Sequence, residues 1–94
     1  MTMTLDDRVC RTLKAAWQEL DGETVLLVTA EEKLIGLNAV AGRIWQLADG
    51  TRTVAEIAES LEREFSDAGS ALHEDTLRFV DRLVARGLIE KCVP

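Results

Sequence analysis

The sequence predicts an α+β fold: a small winged-helix-like domain in which a three-stranded antiparallel sheet is followed by three helices, in the order β-β-β-α-α-α. Three observations lead there. Residues 8–37 favour strands and are punctuated by two turn signals, Asp21-Gly22 and Ala30-Glu31-Glu32. After Asn38 the spacing of apolar residues changes from two to about 3.6. From Thr53 onward two more stretches hold that helical period, the first opening on a capping box and the second closing on a Gly.

The bulk numbers frame this fold. A chain of 94 residues is one domain's worth. Hydrophobic residues make up 47% and aromatic residues only 4%, so the core is built of Leu, Val, Ile and Ala, with Trp17, Trp45, Phe65 and Phe79 as its large fillers. Residues 1–7 are expected to be a flexible N-terminus, and residues 8–94 a single domain. Eleven basic residues face 17 acidic ones, for a net charge of −6. Duplex binding relies on neutralising phosphates with Lys and Arg, so this balance disfavours nucleic acid. No apolar run approaches the roughly 20 residues that cross a bilayer. The N-terminus lacks the order of a secretory signal, so a cytoplasmic chain without membrane contact is expected. Cys10 and Cys92 then read as two unpaired thiols in a reducing compartment.

Each element has its own signal. Val9, Arg11 and Leu13 alternate with Cys10 and Thr12 in a short extended piece. Trp17–Leu20 runs into Asp21-Gly22, a turn in which Gly tolerates positive φ. TVLLVTA (24–30) is apolar on both faces, as a central strand is. KLIGL (33–37) is the third strand and, in a meander, an edge. Asn38 is placed to stop that strand and cap a helix, its side-chain oxygen accepting from the first-turn amides. Val40, Ile44 and Leu47 form one row of this helix, and Ala41, Trp45 and Ala48 the next. Asp49-Gly50 is expected to end it, with Gly supplying the left-handed residue. Thr53-x-x-Glu56 opens a second helix over 53–65, and residues 66–70 read as a loop. A third helix is expected over 71–86, ended by Gly87, with LIEKCV (88–93) as a short strand or tail.

Two features suggest binding. The 33–37 edge offers unpaired backbone groups and has Lys33 as its only charged guard. It is either covered by a helix or a second copy of the chain, or used: an extended peptide adds a strand there. On the third helix Leu72, Thr76, Leu77, Phe79, Val80, Leu83 and Val84 cover one arc. Arg78, Arg82 and Arg86 stand at i, i+4 and i+8, with Asp75 among them. Apolar anchors beside orienting charges suit a peptide groove, and the same stripe also suits a solvated face or a phosphate. On this reading Phe79→Ala, or a Pro at Ile35, is expected to weaken peptide binding without unfolding the domain.

Catalytic machinery is not evident. His73, the sole His, sits at a helix start; no Cys/His pair, GxSxG, P-loop or GxGxxG is present. Glu31-Glu32 and Glu74-Asp75 lie at a turn and a helix start, where acids are common. No catalytic residue, metal site or cofactor is expected. A phosphopantetheine carrier is disfavoured as well, since Ser60, Ser66 and Ser70 lack an Asp-Ser-Leu setting and strands come first.

The run from LDGETVLL to EIAESL, followed by EDTLRFVDRLVARGLIE, resembles the PqqD-like proteins, also called RiPP recognition elements. The resemblance rests on Leu37-Asn38, Ile44-Trp45, Asp49-Gly50, Thr53-Val54, Glu56-Ile57, Asp75 and Gly87-Leu88, and covers about residues 16–90. It implies a non-enzymatic peptide chaperone. Such a protein binds the leader of a ribosomally made precursor peptide and presents it to a modifying enzyme, a radical-SAM enzyme or a leader peptidase. It also implies that the leader pairs with the third strand, at Lys33, Leu34, Ile35, Gly36 and Leu37. Asp75, Phe79, Arg82, Leu83 and Arg86 would face it from the third helix. Two alternatives stand beside this reading: a winged-helix DNA-binding regulator, and a strand-paired homodimer with no peptide role.

Overall fold

The structure is a computed structural model, and it describes residues 3–65 and 72–92. Ten elements follow in order. They are β1 (Arg8–Arg11), β2 (Ala15–Leu20), β3 (Glu23–Val28), a 3-10 turn (Thr29–Glu31), β4 (Lys33–Leu37), α1 (Ala39–Leu47), β5 (Asp49–Thr53), α2 (Val54–Glu64), α3 (Leu72–Ala85) and β6 (Ile89–Lys91). The loop expected at 66–70 and the first residue expected in α3 lie outside the described residues.

β2, β3 and β4 form the expected antiparallel meander with β3 central. The strand read as 24–30 ends at Val28, and the next three residues turn the chain. Asp21 (φ 50) and Gly22 (φ 83) make the two-residue turn between β2 and β3, in the doubly positive-φ form that matches strand twist. Thr24, Leu26 and Val28 point from β3 into the core, together with Leu37 of β4. α1 lies on this inner face. Its buried Gly42 is required there, because a Cβ at that position would sit 2.5 Å from Thr24 Oγ1. Asn38 caps α1 as expected, its Oδ1 accepting from Ala41 N–H at 2.8 Å.

A second sheet, absent from the sequence reading, has the order β5-β1-β6. Asp49-Gly50 is therefore not a helix terminus: α1 closes at Ala48, and Gly50 (φ 89) lies inside β5. The β1–β5 register shifts between Arg8↔Thr53 and Cys10↔Asp49, and the positive φ belongs to that irregularity. The carbonyls at the C-terminal end of α1 are met by Arg11, whose Nη1 donates to Trp45 O and Gln46 O at 2.8 Å each. The same guanidinium stacks 5.3 Å from the Trp17 ring.

α2 begins with the full capping box, Thr53 accepting from Glu56 N–H and Glu56 accepting from Thr53 N–H. α3 packs on α2 through Leu72, Thr76, Val80 and Leu83, and is followed by Gly87 (φ 75) and β6. Part of the segment read as a flexible terminus is tied to this body. Met3 is buried and its N–H donates to Asp81 Oδ1 at 2.9 Å, while Leu5 O and Asp7 O accept from Ala55 and Val54. Asp7 also pairs with Lys91 at 3.1 Å. Hydrogen bonds from Thr4, then that lysine, hold its carboxyl below the ordinary range.

Candidate functional site

Among the described residues the edge strand β4 pairs with β3 alone. Which of its backbone groups face outward follows from the ladder. The two-residue turn makes Leu20 and Glu23 a hydrogen-bonded closing pair. Bonded pairs alternate along an antiparallel ladder, so Glu23, Val25 and Leu27 direct their N–H and C=O toward β2. Thr29 N–H, donating to Lys14 O at 3.3 Å, continues that parity. Thr24, Leu26 and Val28 therefore bond β4, through Leu37, Ile35 and Lys33. Leu34 and Gly36 are left with N–H and C=O pointing away from the sheet. Neither has another backbone partner among the described residues.

This parity corrects one expectation. The Ile35 N–H faces β3, so a Pro at Ile35 breaks an internal bond and cannot test a guest strand separately from the fold. The side chains alternate in the opposite sense to the bonds. Leu34 is 69% exposed on the outer face, Ile35 packs against the core cluster and Leu37 is buried. Lys33 is exposed at the strand's start.

α3, which packs on α2 and β6, carries the other candidate residues. Phe79 is half-buried against the same core cluster as Ile35. Leu83 is buried, so it is not a free anchor. Arg86 reaches Glu31 Oε2 at 3.4 Å. That pair fastens the C-terminal end of α3 to the turn that leads into β4. α3 ends at Ala85, so Arg86, expected in the helix, lies in the turn that follows it. From Asp75 to Ala85 the helix advances about 15 Å, and five residues of strand span about the same length.

The arginine stripe divides in this setting. Arg78 is held by Glu74 at 3.3 Å and by Asp75 at 3.8 Å. Arg86 is held by Glu31, whereas Arg82 is exposed and has no carboxylate partner among the described residues. Two of the three cations are thus already neutralised, which does not suit a phosphate-binding row. Glu31 was missed from sequence as part of this constellation, since a contact across 55 positions leaves no local signal. His73 ties α3 to α2, its Nδ1 lying 3.0 Å from Glu62 Oε1.

A hollow of about 670 Å³ lies elsewhere, between the β1–β2 connection, the end of α3 and β6. Its lining includes Lys14, Leu13 and the Asp7–Lys91 pair, and it presents no convergent acid–base or nucleophilic set. Among the described residues no group of three or more His, Cys, Asp or Glu is placed to hold a metal. None of the described helices is long and apolar enough to cross a membrane. Cys10 and Cys92 are free thiols brought together across the β1–β6 ladder, both facing Gly50. Burial first, then the Cys92 thiol, pushes Cys10 up to about 11.

Comparison with known proteins bears on this geometry. The chain is 35% identical over 80 residues to PqqA binding protein 2 of Pseudomonas putida, covering 85% of this chain and 86% of that one. Its fold is similar to that of TbiB1 in complex with the TbiA(beta) leader peptide. There the TM-score is 0.74 at 27% identity, over 86% of this chain and 94% of that one. It is also similar to the solution NMR structure of the PqqD truncation of Methylobacterium extorquens PqqCD, a stand-alone RiPP recognition element. In that case the TM-score is 0.75 at 21% identity, over 95% of each chain. The family model for coenzyme PQQ synthesis protein D matches residues 23–89, from β3 into β6, and the chain belongs to the PqqD family.

Proposed function

We propose that this chain is a leader-peptide recognition module, a binding protein rather than a catalyst. It takes the leader of a ribosomally synthesised precursor as an added strand on β4 and hands the rest of that precursor to a modifying enzyme. The single observation that carries this reading is the pair of outward-facing backbone units at Leu34 and Gly36. They lie on an uncovered edge whose Lys33 end is fastened to α3 by Arg86–Glu31. A guest residue pairing at each unit forms four hydrogen bonds. At about 0.5–1.5 kcal/mol each these give about 2–6 kcal/mol net, short of the roughly 8 kcal/mol of a micromolar complex. Guest side chains must supply the remainder, against Ile35 and Phe79 on the inner side and by pairing with Arg82. A relative named for PqqA binding and a similar fold holding a leader support the assignment of the guest.

The test is titration of fluorescently labelled leaders, PqqA and the TbiA(beta) leader among them, into the purified chain. Saturable binding that Gly36→Pro abolishes or weakens is the expected result. Failure of every leader in the panel, or equal binding by Gly36→Pro, contradicts the reading. The finer identity of the enzyme, a radical-SAM enzyme or a leader peptidase, is tested by adding each to the loaded complex and following modification of the precursor.

A further inference from the structure

Among the described residues α1 lies on the inner face of the β2–β3–β4 sheet and no helix packs on its outer face. The register places Ala16, Gln18 and Leu20 of β2, Glu23, Val25 and Leu27 of β3, and Leu34 and Gly36 of β4 on this outer side. Leu20, Leu27 and Leu34 are 49%, 40% and 69% exposed. A single antiparallel sheet with one wet face normally carries polar residues there. Here the face holds one charge, Glu23 at the turn end, and one uncharged polar side chain, Gln18. Soluble monomers seldom leave such a patch uncovered.

Its shape favours a second copy of the same chain. Leu34 projects, and Gly36, two residues along on the same side, would find nothing within 4 Å of an added Cβ. Between them and β2 lies a shallow hollow of about 310 Å³, lined by Gln18, Leu20, Val25, Leu27 and Leu34 together with Ala16 and Trp17. Knob and hollow therefore sit side by side on one surface. That is the condition for an isologous contact, in which each copy's Leu34 seats in the other's hollow about a two-fold axis. A charged partner would find almost nothing to read on this face. The size sets the strength: three strands of five or six residues give a face of roughly 14 by 18 Å. Two such faces with their side chains bury on the order of 1,000 Å² in total, at the lower bound for a specific interface.

We propose that two copies associate weakly and reversibly by stacking the outer faces of their β2–β3–β4 sheets, leaving both β4 edges open. Stacked sheets lie about 10 Å apart, so a strand can still add in the plane of each. This proposal does not rest on the leader-binding reading, which concerns the edge rather than the face. It also differs from edge-to-edge pairing, in which a second copy would occupy the outward groups of Leu34 and Gly36.

Sedimentation velocity of the full chain from about 10 μM to about 1 mM, at about 0.05 and 0.5 M salt, decides it. The expected result is a monomer at the low end and a dimer growing in toward the top of the range. Association should strengthen with salt, because each copy carries a charge of −6. Leu27→Lys and Leu20→Lys, each verified as folded by circular dichroism, should each weaken it at least tenfold. Amide exchange at Leu34 and Gly36 should be unchanged by dimerisation. A monomer throughout the range overturns the proposal, as does a dimer that survives both substitutions. A dimer that protects the Leu34 and Gly36 amides overturns it too, and points to edge pairing instead.

Discussion

Two proline substitutions one residue apart should behave in opposite ways. At Gly36 the N–H points out of the sheet, so Pro removes only a donor that a guest strand would use. Open space surrounds the position where its side chain begins. At Ile35 the N–H bonds Leu26, and Pro deletes a bond inside the ladder. Gly36→Pro should leave the fold within about 1 kcal/mol of the parent, a melting shift of at most about 4–8 °C for a domain of this size. Its effect on binding is larger, because the guest carbonyl that faced the lost N–H is left unsatisfied. That costs about 1–3 kcal/mol, or about 5- to 150-fold in Kd. Ile35→Pro should cost about 3 kcal/mol or more of stability, and so lose binding together with the fold. The assay pairs thermal melts by circular dichroism with anisotropy titration of a labelled leader. The reasoning is refuted if Gly36→Pro binds like the parent, or if Ile35→Pro melts like the parent and alone loses the leader.

Further consequences can be checked with the same tools. Phe79→Ala should weaken leader binding at least fivefold. Because the ring is half-buried against the core, the same change should cost about 2 kcal/mol of stability by denaturant titration, leaving the domain folded. Arg82→Gln should weaken a leader with an acidic residue and flatten the salt dependence of its Kd, since Arg82 is exposed and unpaired among the described residues. Cys10, pushed up to about 11 chiefly by burial, should stay a neutral thiol at pH 8 and alkylate more slowly than a free cysteine. Its folded pKa lies above the unfolded value, and the charged form is the one disfavoured. The unfolded chain therefore ionises first, and this contribution to stability is lost between about pH 9 and 11. Melts of Cys10→Ser across that window should show a smaller decline than the parent.

The sequence was most informative where the physics is local. Asn38, Thr53-x-x-Glu56 and Asp21-Gly22 each act within a few residues, and each forms the cap or turn that its chemistry dictates. The edge position of β4 was readable because a meander leaves its last strand outside. β5 was not readable, since Asp-Gly-Thr-Arg-Thr has no apolar alternation and is a strand only because β1, some 40 residues earlier, pairs with it. Met3 was read as loose for a similar reason: its anchors, Asp81 and the core, are distant in sequence. Among the proposed site residues, all but Arg86, which lies in the turn after α3, sit on the strand or helix expected of them, but which backbone groups face outward was not readable. That depended on the parity of the ladder, set by the hairpin turn. Leu83 reads as a groove residue from its helical position and lies buried in the core cluster with Val80, Leu88 and Ile89.

Amide hydrogen exchange read by NMR, residue by residue along β4, addresses the account at its centre. In the free chain the Lys33, Ile35 and Leu37 amides should exchange slowly, and those of Leu34 and Gly36 fast. Saturation with a bound leader should slow Leu34 and Gly36 by at least tenfold and leave the other three little changed. Leu34 and Gly36 amides that are already protected in the free monomer, or that stay fast with leader bound, would contradict it.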